Sequence, residues 1–244
     1  MNNTISLYTI TQVSEDTLLI LFPNAETEGD LLNVCHWLSL TNRRVVQAFN
    51  TPNKRFITDT VQAYRSLTVY FDFIHISSPK IIKDITNILQ NVLEKNPLQQ
   101  RFSGKTVTIP VCYAPEFALD LDRLCKIHKL SEEEFIHIHT QKPYTVCALG
   151  FLPGFPYLGF VDDRIATPRL TSPRTSIPAG SVGIADNQTG MYPKQSPGGW
   201  NIIGQTPEVI AVVDKFAPKL EVGDQVQFIP ITLTEFKKLK GSRG

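Results

Sequence analysis

Arg169 and Arg174 stand in the run TPRLTSPRTS, which contains no acidic residue and whose prolines restrict the backbone. A planar guanidinium on a rigid loop suits two-pronged binding of a carboxylate or a phosphate. The competing role is structural, with each arginine tying down loop carbonyls. Between the two, Arg174 is the stronger candidate because Pro173 and Pro178 flank it. Further along, Gln188, Thr189 and Tyr192 offer neutral hydrogen bonds of the sort that orient an amide, and Trp200 is either a pocket wall or, more in keeping with its size, core. His139 follows His137 at H-x-H spacing, with Cys147 beyond. Without a third ligand at a recognised spacing these do not make a zinc site, so no metal is expected. Imidazole titrates near neutral pH, which makes His139 the candidate general acid or base unless it is a structural histidine. Ser172, Ser176 and Ser196 lack a G-x-S-x-G setting, and no G-x-x-x-x-G-K-[ST] loop is present to cradle phosphates.

The elements that must position these residues fall into two halves. Residues 1–149 hold two glycines, Gly29 and Gly104, and residues 150–244 hold twelve. In the first half, Leu7 to Val13 and Leu18 to Phe22 read as a hairpin, Asp30 to Leu40 as a helix, and Arg55 to Ala63 with Ser66 to Phe73 as a second strand pair. A helix capped by Ser78 follows, with Pro79 in its first turn and Ile81, Ile82, Ile85, Ile88, Leu89, Val92 and Leu93 at helical spacing. This pattern predicts a small α+β sandwich over residues 1–100, ending in a linker at Asn96 to Gly104.

Beyond the linker, Thr106 to Cys112 alternates as a strand, and Pro115 opens a helix carrying Phe117, Leu121, Leu124, Cys125 and His128 on one stripe. Ser131 and Glu134 have capping-box spacing, and Tyr144 to Leu149 is again a strand. Residues 150–207 contain nine glycines and eight prolines, interleaved with apolar pieces such as Ser181 to Ala185 and Trp200 to Ile203. Short strands joined by demanding turns are expected there. Strands at Val209 to Val213 and Asp224 to Pro230 and a helix at Thr234 to Lys240 complete a compact β-barrel over residues 101–244.

The 24 basic and 23 acidic residues are evenly spread, which argues against a nucleic-acid surface. Four scattered cysteines, no apolar run approaching the ~20 residues of a membrane span and no leader-like N-terminus suggest a reduced, cytoplasmic setting.

The blocks FLPGFPYLG, ATPR, SPRTSIPAGSVGIA, QTGMYP and SPGGWNIIGQTP resemble, in order and spacing, the signature of the bacterial family that contains the B subunit of 5-oxoprolinase, the sensor-kinase inhibitor KipI and allophanate hydrolase subunit 1. The likeness is dense over residues 104–230; before residue 104 it rests on element order and on AYRSLTVYFD. It implies a ferredoxin-like N-terminal domain followed by a cyclophilin-like β-barrel. It also implies a heteromeric, ATP-dependent 5-oxoprolinase with the C and A subunits as partners, inactive as this chain alone, which opens 5-oxoproline to glutamate. In that setting Arg174 and Arg169 would meet substrate carboxylate or phosphate, and Gln188, Thr189 and Tyr192 the lactam. ATP would be shared with or supplied by the partners. The alternative within the resemblance is KipI-like inhibition of a sensor histidine kinase. Prolyl isomerisation would rest on barrel likeness alone, which does not confer function. ADNQTG stands where the family has a glycine pair before QTG, and Asn187, tolerant of left-handed backbone, is expected to take the turn.

Overall fold

The computed structural model describes residues 8–24, 27–51, 54–72, 79–94, 104–208 and 220–241. The chain forms two compact units, residues 1–103 and 104–244. The expected linker up to residue 103, the Ser78 cap and the strand at Val209 to Val213 lie outside the described residues.

In the first unit, β1 (Thr9–Ser14), β2 (Thr17–Leu21), β5 (Ile57–Ala63) and β6 (Ser66–Phe71) form an antiparallel sheet in the order β1-β2-β6-β5, and β3 (Asn50–Thr51) pairs with β4 (Lys54–Arg55) as a short ribbon. Helices α1 (Glu28–Phe49) and α2 (Pro79–Glu94) cover the sheet through one apolar core. Thr27 caps α1 by accepting from the backbone of Asp30. The helix runs nine residues beyond its expected end at Leu40. The polar stretch Thr41 to Arg44 interrupts the apolar pattern without ending it, because Val45 and Phe49 resume the buried stripe of Val34 and Leu38. In α2, Ile85, Leu89 and Leu93 point into the core at four-residue spacing, while Ile88 is exposed.

The second unit is a closed seven-stranded barrel. Around it run β8 (Tyr144–Leu149), β15 (Gln225–Ile231), β7 (Thr106–Cys112), β14 (Asn201–Gln205), β11 (Ser181–Ala185), β12 (Gln188–Met191) and β9 (Pro156–Gly159), and β9 pairs back onto β8. Closure removes the sheet edges that would otherwise need covering. The neighbours β7 and β15 are parallel and in register from Thr106 opposite Gln225 to Cys112 opposite Ile231. Helices α3 (Leu121–His128) and α4 (Glu132–Thr140) add Leu121, Leu124, Phe135 and Ile138 to the core, and α5 (Leu233–Gly241) sets Phe236 against Phe117 at 4.4 Å between ring centroids. The Ser131–Glu134 capping box is formed in both directions. Outside the barrel wall, β10 (Arg174–Ile177) and β13 (Ser196–Gly198) make a two-stranded ribbon.

Two local readings are corrected. Helix α3 starts at Leu121 rather than Pro115, because residues 114–118 form a turn and the Asp120 N–H bonds to the carbonyl of Ile202 on β14 at 2.8 Å. At the β11–β12 turn the left-handed residue is Asp186 (φ 54°), not Asn187.

Candidate functional site

The glycine-rich segments meet at the ribbon. Arg174 opens β10 opposite Gly198, and its guanidinium grips Asp120 with both prongs, Nη1 to Oδ2 and Nη2 to Oδ1, each at 2.9 Å. Asp120 is 54 residues away in sequence, and its side chain is 4% exposed. Its Oδ2 also accepts from the backbone N–H of Ile202 at 2.7 Å, and its Oδ1 from Arg123 Nη2 at 3.3 Å. Arg123 reaches Asn201 Oδ1 with the same nitrogen, and Asn201 donates to the carbonyls of Pro168 and Ile184. One buried carboxylate therefore joins the start of α3, the ribbon and β14. A carboxylate this far from water needs such a full set of donors.

Beside this network lies a second, aromatic core of Phe155, Ile177, Ala185, Tyr192, Trp200 and Ile202. Phe155 makes edge-on contacts with Tyr192 at 5.2 Å and with Trp200 at 5.3 Å. Gly190 permits this packing: a Cβ there would come within 2.7 Å of the Pro156 carbonyl oxygen and 3.0 Å of Trp200 Cζ3. Burial pushes the Tyr192 phenol up to about 12, with the Trp200 backbone and the charges of Arg169 and Arg174 opposing the shift. Tyr192 is therefore a neutral hydroxyl at physiological pH. Phe151, held at φ 65°, is 60% exposed at the rim of this cluster. Tyr157, half-buried, sits edge-on to Phe155, and its hydroxyl has no hydrogen-bond partner among the described residues.

His139 lies inside the barrel with no exposed surface. Its Nδ1 is 2.8 Å from the Tyr113 hydroxyl and its Nε2 is 3.0 Å from Thr189 Oγ1, while the ring stacks on Phe228. Thr189 donates its own proton to the Gly183 carbonyl. Nε2 must then carry the imidazole proton and donate it to Thr189, leaving Nδ1 to accept from Tyr113. Desolvation lowers the His139 pKa from 6.5 to about 3, so the ring is neutral at physiological pH.

Arg174 and Tyr192 thus converge at the ribbon, with Arg169 near enough for its charge to act on the Tyr192 phenol. Arg169 itself is exposed and pairs with Asp186 at 3.6 Å. Gln188 is half-buried at the β11–β12 turn, and Thr189 belongs to the barrel interior with His139. Trp200 is core, 5% exposed. His137 is exposed on α4, and among the described residues no three His, Cys, Asp or Glu side chains cluster as metal ligands. No helix among the described residues is long and apolar enough to cross a membrane. The residues that sequence reading missed are Asp120 and Arg123. The available signal was DLDR at the head of α3, an acid and a base three positions apart on one helical face.

Residues 8–220 match the model of the carboxyltransferase domain, subdomain C and D. The B subunit of the Bacillus subtilis 5-oxoprolinase is 38% identical over 244 residues, covering 96% of this chain and 97% of that protein. Among solved structures, TTHA0988 superposes with a TM-score of 0.68 at 31% identity over 88% of this chain, which spans 40% of that longer chain. The urea amidolyase of K. lactis shares the fold, with a TM-score of 0.68 at 17% identity over 95% of this chain and 15% of that one.

Proposed function

The chain belongs to the carboxyltransferase subdomain C and D family that includes KipI and the B subunit of 5-oxoprolinase, and on that premise we propose that it is the B-type component of a heteromeric, ATP-dependent 5-oxoprolinase. The observation that carries this reading is the nearly end-to-end match to the Bacillus subtilis protein. In this reading the barrel is cyclophilin-like, the protein works in the cytoplasm, and the C and A subunits complete the enzyme.

An unstrained lactam resists water. Transfer of the ATP γ-phosphoryl group to the carbonyl oxygen would open the ring carbon to attack by water; the C–N bond then breaks as the nitrogen takes up a proton, and a second water hydrolyses the resulting acyl phosphate to glutamate and phosphate. This chain has no phosphate-cradling loop in its sequence, so ATP, as a substrate, is held with the help of the partners. The ribbon face contributes Arg174 and Arg169 to substrate, while Tyr192, 1% exposed, packs its neutral hydroxyl beneath Gly198 and supports the ribbon from inside. His139 serves as a positioning residue: its neutral ring fixes Thr189 and so the course of β12 toward Tyr192. An acid–base role would require a proton path into the barrel for a ring that resists protonation above about pH 3.

Reconstitution tests the reading. The purified chain alone should not convert 5-oxoproline to glutamate, and adding the A and C subunits should give ATP-dependent turnover. Turnover by the chain alone would place the whole site within it. No turnover with the partners, combined with loss of autophosphorylation in a sensor histidine kinase on adding this chain, would replace the enzyme reading with the KipI-like one.

A further inference from the structure

The charge balance around Asp120 is uneven. Arg174 already supplies a full two-pronged ion pair, and the Ile202 N–H fills a further acceptor position. Arg123 nevertheless reaches the same oxygen, Oδ1, that Arg174 Nη2 occupies, so two guanidinium groups are neighbours over a single carboxylate. Like charges at such a distance repel, and one carboxylate neutralises only one of them. Among the described residues no other acid forms an ion pair with either arginine. Asp122 pairs with Lys126 at 2.7 Å, Asp186 with Arg169 at 3.6 Å, and Asp162 with Arg164 at 2.8 Å, while Glu116 makes no ion pair among the described residues.

The donors are uneven as well. Arg174 uses its two terminal nitrogens on Asp120, and Arg123 uses one terminal nitrogen on Asp120 and Asn201. The Nε–H of Arg174, and the Nε–H and Nη1 hydrogens of Arg123, have no acceptor among the described residues. Both side chains reach solvent, Arg174 at 29% and Arg123 at 45% exposure. The carboxylate beneath them and the Asn201 side chain hold the pair in place, so an incoming ligand meets donors whose geometry is already set. Opposite Arg174 stands Gly198, which brings no side chain of its own to the approach.

We infer that Arg123 and Arg174, held together by Asp120, form a cradle for a small oxyanion, a carboxylate or a phosphate group, where the start of α3 meets the ribbon. Arg123 is the added member of the substrate site, and Asp120 is a positioning residue that acts through both arginines. Reading this oxyanion as part of 5-oxoproline or of its phosphorylated form rests on the function proposed above; the cradle itself does not.

The test uses the purified full-length chain. The arginine Nε–H resonances are followed by NMR while inorganic phosphate, and separately 5-oxoproline, is titrated at constant ionic strength set by chloride. The Arg123 and Arg174 signals should shift together and saturate. Arg123→Gln, with an unchanged melting temperature, should weaken binding at least tenfold, and Arg123→Lys should recover only a small part, because ammonium lacks the planar fork. Saturation by phosphate alone assigns the cradle to a phosphate group, and saturation by 5-oxoproline alone assigns it to a carboxylate; either supports it. A drift that never saturates, or binding to Arg123→Gln as tight as to the wild type, overturns it. Failure of the reconstituted enzyme to turn over would refute the 5-oxoprolinase reading while leaving the phosphate titration standing.

Discussion

Replacing His139 with glutamine tests whether the barrel interior holds a neutral imidazole, as its environment requires. Glutamine keeps a donor and an acceptor for Thr189 and Tyr113 but cannot titrate. In the folded chain the His139 pKa lies near 3, against 6.5 for a free imidazole. The unfolded chain therefore binds the extra proton throughout that window, and stability contributed by the neutral ring is present in full above about pH 6.5 and lost as pH falls. The slope is about 1.4 kcal/mol per pH unit, so lowering the pH from 7 to 5 should remove about 2 kcal/mol, a sizeable share of the ~5–15 kcal/mol typical of a folded domain. Carboxylates and His128 titrate in both proteins, so the informative quantity is the difference between wild type and His139→Gln. Urea unfolding followed through Trp200, which lies in the aromatic core of the barrel, measures it. The stability advantage of wild type over variant should shrink by about 2 kcal/mol between pH 7 and 5. A difference that stays flat over this range, or a His139 ring that titrates near 6.5 by NMR in the folded protein, would refute the account.

Arg174→Ala should destabilise the barrel by about 2–4 kcal/mol, read by urea unfolding, because it strips the two-pronged partner from a carboxylate buried at 4% exposure. Arg174→Lys should recover less than half of that loss. In a reconstituted complex the same alanine variant should lose turnover beyond what its reduced assembly explains, and normal turnover per assembled complex would remove Arg174 from the substrate site. Gly190→Ala should cost about 1–3 kcal/mol, since its Cβ would press on the Pro156 carbonyl and Trp200 and overpack the aromatic core. Limited proteolysis should release a stable fragment beginning near Gly104, and early cutting within residues 150–207 would contradict the closed barrel.

Much of the architecture is local and therefore legible in the sequence. Strand β7 occupies the position its alternation predicts and β8 the apolar run Tyr144 to Leu149, the capping box forms where Ser131 and Glu134 have the right spacing, and the glycine- and proline-dense half folds as short barrel strands. These features depend on backbone preferences and side-chain periods that act over a few residues. The family signature was equally readable, because its blocks are contiguous. What lay beyond local reasoning was which distant residues share an environment. Arg174 stands in a run free of acids, yet closure of the barrel brings Asp120 to it from across 54 residues. His139 sits on a helix among exposed acids and another histidine, and only its direction relative to β12 and β15 decides that it is buried beside Thr189 and Phe228. Arg123 gives no sign in sequence of sharing a carboxylate with Arg174. Ion pairing and desolvation depend on distance in space, and here that distance is set by the strand order of the closed sheet, a property of the whole chain.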